Sequence, residues 1–182
     1  MKRRRVFVSA GALALCAWSA AADARNVKVW DDAGGAVRDV LVAVSLGLPA
    51  VRGDWRGDVQ AAASLGAAGL VTYGLKEGFP ELRPDRSDRK SFPSGHASIS
   101  FAAAATLQNR YGWEVGLPAQ LLAAFVGVSR VEARKHHWYD VAAGAAIGEA
   151  SGFLLTRKRD GGVHVMPWGD AHGAGMSVGF VF

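Results

Sequence analysis

Three short segments of this chain, KEGFPELRP at 76–84, PSGH at 93–96 and SRVEARKHHWYD at 129–140, bring together histidines, an aspartate, a lysine and arginines. Residues of these types, taken together, suit transfer of a phosphoryl group. A phosphate ester needs donors around its non-bridging oxygens, a nucleophile in line with the leaving group, and an acid to protonate that group. Lys76, Arg83 and Arg130 carry fixed positive charge, and the two guanidinium forks match phosphoryl oxygens in pairs, so these three are the expected clamp. Ser94 and Gly95 follow Pro93 just ahead of the apolar run ISFAAAATL. A helix that starts there turns unpaired backbone N–H groups toward an anion, and Gly95 lets the backbone come close. Ser94 would serve equally well as an ordinary helix cap.

His136 and Asp140 are four residues apart, which on a helix puts both on one face, where the carboxylate can accept the Nδ1 proton and leave Nε2 free to attack. His137 adjoins His136 and lies three residues before Asp140, so these residues alone leave either histidine as the nucleophile. His96, beside the same helix start as Gly95, is left as proton donor to the leaving oxygen, a role worth about 10² to 10⁴ in rate. This chemistry needs no metal or cofactor, and no His/Asp/Glu set has the usual zinc spacing. Arg86, Asp88, Arg89 and Lys90 read as a solvated loop, and His164 and His172 as histidines outside the site.

The spacings are K-x6-R-P, then P-S-G-H, then S-R-x5-H-x3-D, in that order and without gaps. Over roughly residues 60 to 155 this pattern resembles the type 2 phosphatidic acid phosphatase superfamily. The resemblance selects His136 as the residue phosphorylated, with a second water then releasing phosphate from it. It implies a phosphoric ester hydrolase acting on lipid phosphates, on the periplasmic side if the leader described below directs export. The same motifs are shared by soluble, broad-specificity acid phosphatases of the bacterial class A type, which is the main alternative. Vanadium haloperoxidases, which hold vanadate in a like anion site, are a third reading, although they are usually much longer chains. The identity of the ester would be read by lining residues that no motif marks.

Positioning these segments requires a frame. Apolar helical stretches run roughly over 36–51, 56–76, 95–109, 113–130 and 137–156, separated by Gly, Pro and charge, which predicts an all-α bundle of about five core helices. Gly144, Gly148 and Gly152 recur every fourth residue and mark a helix face that a neighbour can approach closely. At the C-terminus VHVMPW and MSVGFVF alternate around GDAHGAG, which predicts a short β-hairpin.

The first residues, MKRRRVFVSAGALALCAWSAAADA, give a basic n-region, an apolar stretch and small residues at Ala22 and Ala24, the pattern of a secretory signal peptide cleaved after Ala24. Residues 25–182 would then be a single phosphatase domain. Cys16, the one cysteine, falls inside the leader, so the mature chain would form no disulfide. The formal charge of +5 drops on cleavage to 17 basic against 15 acidic residues, which gives a nucleic-acid partner little support.

Membrane association is expected from the lengths of the apolar stretches and from Trp55, Trp113 and Trp138 near their starts. Arg38, Asp39, Asp58, Gln120 and Glu149 interrupt those stretches, and the mean hydropathy is only +0.11. If residues 1–24 were instead retained as a separate first span, six crossings would place all three motifs on the periplasmic side. Oligomeric state has no signature in the sequence.

Overall fold

A computed structural model describes the backbone of residues 10–159, 163–170 and 173–180, and the side chains of residues 25–159 with those of Trp168, Met176 and Ser177. The basic residues at 2–5, His172 and Phe182 lie outside the described residues. Five helices follow one another: α1 (Ala10–Val51), α2 (Trp55–Gly78), α3 (Gly95–Tyr111), α4 (Trp113–Glu132) and α5 (Trp138–Leu155). Two strands, β1 (Val163–Asp170) and β2 (Gly173–Phe180), pair antiparallel as the expected hairpin, with Val165 opposite Val178.

α3 lies at the centre and packs against each of the other four helices, which surround it in the order α1, α2, α5, α4. Its sequence explains this placement. Ala102 to Ala105 are all fully buried and present small side chains on successive faces, with the larger Leu107 buried beyond them. α5 comes closest. A Cβ at Gly144 would fall 2.5 Å from the Ser94 carbonyl oxygen, and one at Gly148 would fall 2.4 Å from that of Ser98. The stripe of glycines is thus the contact that presses α5 onto the start of α3, and with it Asp140 onto the PSGH segment. Leu41, Ala119, Ala123 and Val126 complete the apolar core between α1, α3 and α4.

Helix ends follow local chemistry. Asp54 caps α2 by accepting from the Gly57 N–H at 3.2 Å, and Gly112, at φ +86°, makes the break between α3 and α4. α1 is the exception to the expected boundaries, because it begins at Ala10 rather than near 36. The polar run RNVKVWDDAGG lies ahead of the expected start, yet Gly34 and its neighbours are helical, with that face packed on α4. The helix passes through Ala24 and on to Val51 without a turn, so α1 is one continuous element across the expected cleavage site.

Two segments, Arg25–Val51 and Trp113–Glu132, are long and apolar enough to cross a membrane. Much apolar surface on the outer helices faces outward, including Val44 and Val51 of α1, Leu70 and Val71 of α2, Leu121 of α4 and Leu154 of α5.

Candidate active site

The three motifs converge at one end of the bundle, on the C-terminal ends of α2 and α4 and the N-terminal ends of α3 and α5. The segment from Phe79 to Ser94 crosses that end. It is pinned by backbone bonds from Ser91 N–H to the Glu81 carbonyl and from Asp85 N–H to the Arg134 carbonyl, and by the Lys135–Asp85 ion pair at 2.8 Å. Within it Asp88, read from sequence as a solvated charge, accepts from Arg83 Nε at 2.7 Å and so fixes that guanidinium.

Each expected site residue has a defined place. Lys76 Nζ donates to the carbonyls of Lys90 (2.7 Å) and Pro93 (2.6 Å) and lies 3.4 Å from that of Ser91. It therefore staples the loop that carries PSGH. Burial, with Arg83 nearby, lowers its pKa to about 8. Arg83 reaches the other side of the site, where Nη1 donates to the Lys135 carbonyl at 3.3 Å. Arg130, 3% exposed, donates from Nη1 to Asp31 at 2.6 Å, while its Nε has no partner among the described residues. Ser94 caps α3, its hydroxyl accepting from the Ala97 N–H at 3.4 Å. A Cβ added at Gly95 would only reach ordinary contact with Thr72, 3.7 Å away, so packing within the protein does not itself demand glycine there.

His136 is buried, and its Nδ1 lies 2.8 Å from the Ser91 carbonyl oxygen. A carbonyl can only accept, so Nδ1 carries the proton and Nε2 keeps its lone pair. This corrects the expected orienting pair, because Asp140 Oδ2 stands 3.7 Å from Nδ1, beyond a hydrogen bond. The reason is local. α5 begins at Trp138, so His136 lies in the turn before the helix and does not share a helical face with Asp140. The fully buried Asp140 closes the first turn of α5 instead, accepting from the His137 N–H at 2.8 Å and the Ser91 hydroxyl at 2.6 Å. Asp140 thus touches His136 through Ser91.

His137 turns the other way. It stacks on Tyr139 with ring centroids 5.0 Å apart and faces Glu81 and Asp140. Among the described residues Glu81, His137 and Asp140 are close enough together to hold a metal ion, a set their sequence spacing hides, but Asp140 Oδ2 and Glu81 Oε1 already accept bonds from Ser91 and Tyr139.

Electrostatics separate the two remaining histidines from ordinary ones. Burial, then Arg83, Lys76 and Arg130, push the pKa of His136 down to about 3, only partly opposed by Asp140. Burial, Arg130 and Arg38 bring His96 down to about 4, against Asp31 and Asp39. Both rings are neutral near pH 7. A cluster of cations around neutral imidazoles favours an incoming anion.

Residues 58–161 match the model of the PAP2 superfamily. The chain belongs to this family. It is 33% identical over 116 residues to a lipid A 4'-phosphatase of Helicobacter pylori, covering 58% of this chain and 59% of that protein. It is 38% identical over 90 residues to a lipid A 1-phosphatase of Porphyromonas gingivalis, covering 47% of this chain but 20% of that much longer relative. Among solved structures, LpxE of Aquifex aeolicus superposes with a TM-score of 0.62 at 19% identity, over 71% of this chain and 84% of the other. A transmembrane PAP2 type phosphatidylglycerolphosphate phosphatase from Bacillus subtilis gives 0.54 at 23% identity, over 75% and 84%. Both share the helical bundle.

Three residues that matter here were not singled out from sequence. Ser91 supplies a carbonyl to His136 and a hydroxyl to Asp140, yet a serine two residues before PSGH carries no signal of its own. Asp31 and Arg38 reach the site from α1; in sequence Arg38 looks like a polar break in an apolar helix and Asp31 precedes the expected helix start.

Proposed function

We propose that the chain is a phosphatase that hydrolyses a lipid phosphate ester at the periplasmic face of a membrane, through a phosphohistidine at His136. The observation that carries this is the state of His136: buried among Lys76, Arg83 and Arg130, with Nδ1 committed to the Ser91 carbonyl and Nε2 left as the nucleophile. Arg83, Arg130 and the first N–H groups of α3, from Gly95 on, would hold the phosphoryl oxygens as negative charge spreads over them, while Ser94, whose own N–H donates to the Asp140 carbonyl at 3.0 Å, caps and anchors that helix start. Lys76 would act by fixing the loop that presents those N–H groups and by adding positive charge. His96 would protonate the leaving oxygen, and once it has lost that proton it would take one from the water that releases phosphate from His136.

Support for a lipid comes from three directions. The two sequence relatives named above are lipid A phosphatases. Two helical segments are apolar enough to enter a bilayer. An apolar groove of about 320 Å³, lined by Phe101, Gly127, Val128, Val131, Trp138 and Val141, runs between α3, α4 and α5. Its lining includes Val131, next to Arg130, and Trp138, two residues beyond His136, so an acyl chain in it would leave the headgroup at the cations.

Residues 1–24 are read as a signal peptide. The side chains through which α1 meets the site, Asp31 and Arg38, both follow Ala24 and would survive cleavage. N-terminal sequencing of the mature protein tests this, and a chain that still begins at Met1 would show a retained anchor.

Phosphate release from a detergent-solubilised lipid phosphate and from a small aryl phosphate, each with chelator present, tests the activity. Faster turnover of the lipid is expected. Preference for the aryl ester would indicate a soluble-type acid phosphatase, and no release from either would refute the hydrolase reading.

A further inference from the structure

α1 presents an ionic face to the site that the chemistry above does not use. Asp31, Gly34 and Arg38 recur at steps of three and four, on one side of the helix. Gly34 is what brings that side against α4, since a Cβ there would lie 1.9 Å from Ser129 Oγ. On one flank of this contact Asp31 accepts from Arg130 Nη1, and on the other Arg38 Nη1 lies 2.8 Å from His96 Nε2. A guanidinium has hydrogens to give and no lone pair to offer, so Arg38 is the donor and His96 Nε2 the acceptor. The contact exposes a conflict. To act as an acid His96 must be an imidazolium, with hydrogen on both nitrogens, and in that form it cannot keep Arg38 on Nε2.

We propose that Arg38 exchanges partners during turnover: it caps His96 Nε2 until substrate binds, then swings onto an oxygen of the phosphate ester, which frees His96 to become the acid. This rests on the reading of His96 as proton donor. The guanidinium has freedom to do so, because its side chain is 30% exposed and its other bonds go to Asp39, the adjacent and exposed residue. The charges that act on His96 are Arg130 of α4 and Arg38, Asp31 and Asp39 of α1. Moving Arg38 away and bringing a phosphate dianion near both favour a proton on the ring, taken from water. In the step that follows, the bond from His136 Nε2 to phosphorus forms, the bond from phosphorus to the leaving oxygen breaks, and that oxygen takes the proton from His96. Asp31, in this arrangement, is a positioning residue that aims Arg130.

The test follows His96 by NMR through a pH titration, in the full chain and in Arg38→Gln and Arg38→Lys, each with and without saturating inorganic phosphate, and measures phosphate affinity alongside. In the wild type, phosphate should raise the midpoint of His96. In Arg38→Gln the midpoint should already be raised without phosphate, and phosphate should bind about 10-fold more weakly, the loss of one charge-assisted bond. Arg38→Lys, which keeps the charge but not the fork, should lie between. Unchanged phosphate affinity in Arg38→Gln, or a His96 midpoint that phosphate leaves in place, would overturn the exchange. These readouts do not depend on turnover, so a protein that hydrolyses no ester but shows the Arg38-dependent shift would refute the hydrolase reading and leave the exchange standing.

Discussion

The two ends of the bundle both bury arginine, and they do opposite things with it. At the end where α1 meets α2, Arg110 is 5% exposed and its bonds are closed: a two-pronged pair with the equally buried Asp54, a bond to Gln60 Oε1 at 3.0 Å and one to the Arg157 carbonyl at 2.9 Å. Tyr111 adds a third donor to the same carboxylate. Charge there is matched by charge. At the other end Arg130 is as deeply buried, but its Nε has no partner among the described residues, its one carboxylate is the 38% exposed Asp31, and Lys76, Arg83 and Arg38 crowd the same space. The cost of that crowding shows in His96 and His136, whose protons burial and the cations have driven off. A closed ion pair holds helices together, whereas an excess of cations beside neutral imidazoles is poised for an anion that the protein does not itself supply.

The contrast is broken most sharply at His136. His136→Ala should lower turnover of any phosphate ester by about 10⁴-fold or more, because the nucleophile and the groups around it act as a unit, while the thermal unfolding midpoint stays close to that of the wild type. At the opposite end Asp54→Ala should do the reverse. Leaving Arg110 buried without its carboxylate should cost about 3–5 kcal/mol of stability, measured by denaturant unfolding, with turnover per folded molecule nearly unchanged. If Asp54→Ala instead removed activity in molecules that remain folded, the division between the two ends would fail.

The carboxylate of the active end comes next in size. Since Asp140 reaches His136 through the Ser91 hydroxyl and the His137 N–H, Asp140→Asn should slow turnover by about 10- to 100-fold, the scale of lost charge-assisted hydrogen bonds, and well short of His136→Ala. An equal loss in the two variants would mean that Asp140 bonds His136 directly during turnover.

Acid should separate the ends as well. The folded-state pKa values of about 4 for His96 and about 3 for His136 lie below the ordinary 6.5, so the unfolded chain binds more protons in between. The stability these two neutral rings allow is complete above about pH 6.5 and is lost progressively as pH falls toward those values. Unfolding midpoints measured from pH 7.5 down to 4.5 should fall, and His96→Gln with His136→Gln should flatten the decline. The smallest effect is expected in the groove, where Trp138→Ala should raise KM for a lipid phosphate about 3- to 10-fold, the removal of part of an apolar contact, and leave a small aryl phosphate unaffected.

Much of this was legible in the sequence where chemistry sits inside a motif. Three ungapped spacings located His96, His136, Asp140 and the cations, and glycines at every fourth residue foretold how closely α5 would lie against its neighbour. What the sequence could not show was which group bonds which. Spacing four suggested that Asp140 holds His136, but α5 starts two residues after His136, and a backbone carbonyl, which has no signature in any sequence, took the bond. α1 was the larger miss. Arg38 read as a fault in an apolar helix and Asp31 fell ahead of the expected helix start, because their partners, His96 and Arg130, lie 58 and 99 residues away.

The most direct measurement is to quench the reaction rapidly with a radiolabelled lipid phosphate and look for covalent phosphate on the protein. Wild type should carry an acid-labile, alkali-stable phosphohistidine that maps to His136, and His136→Ala should carry none. Label on His137, or turnover in the wild type with no labelled protein under any quench, would contradict nucleophilic attack by His136.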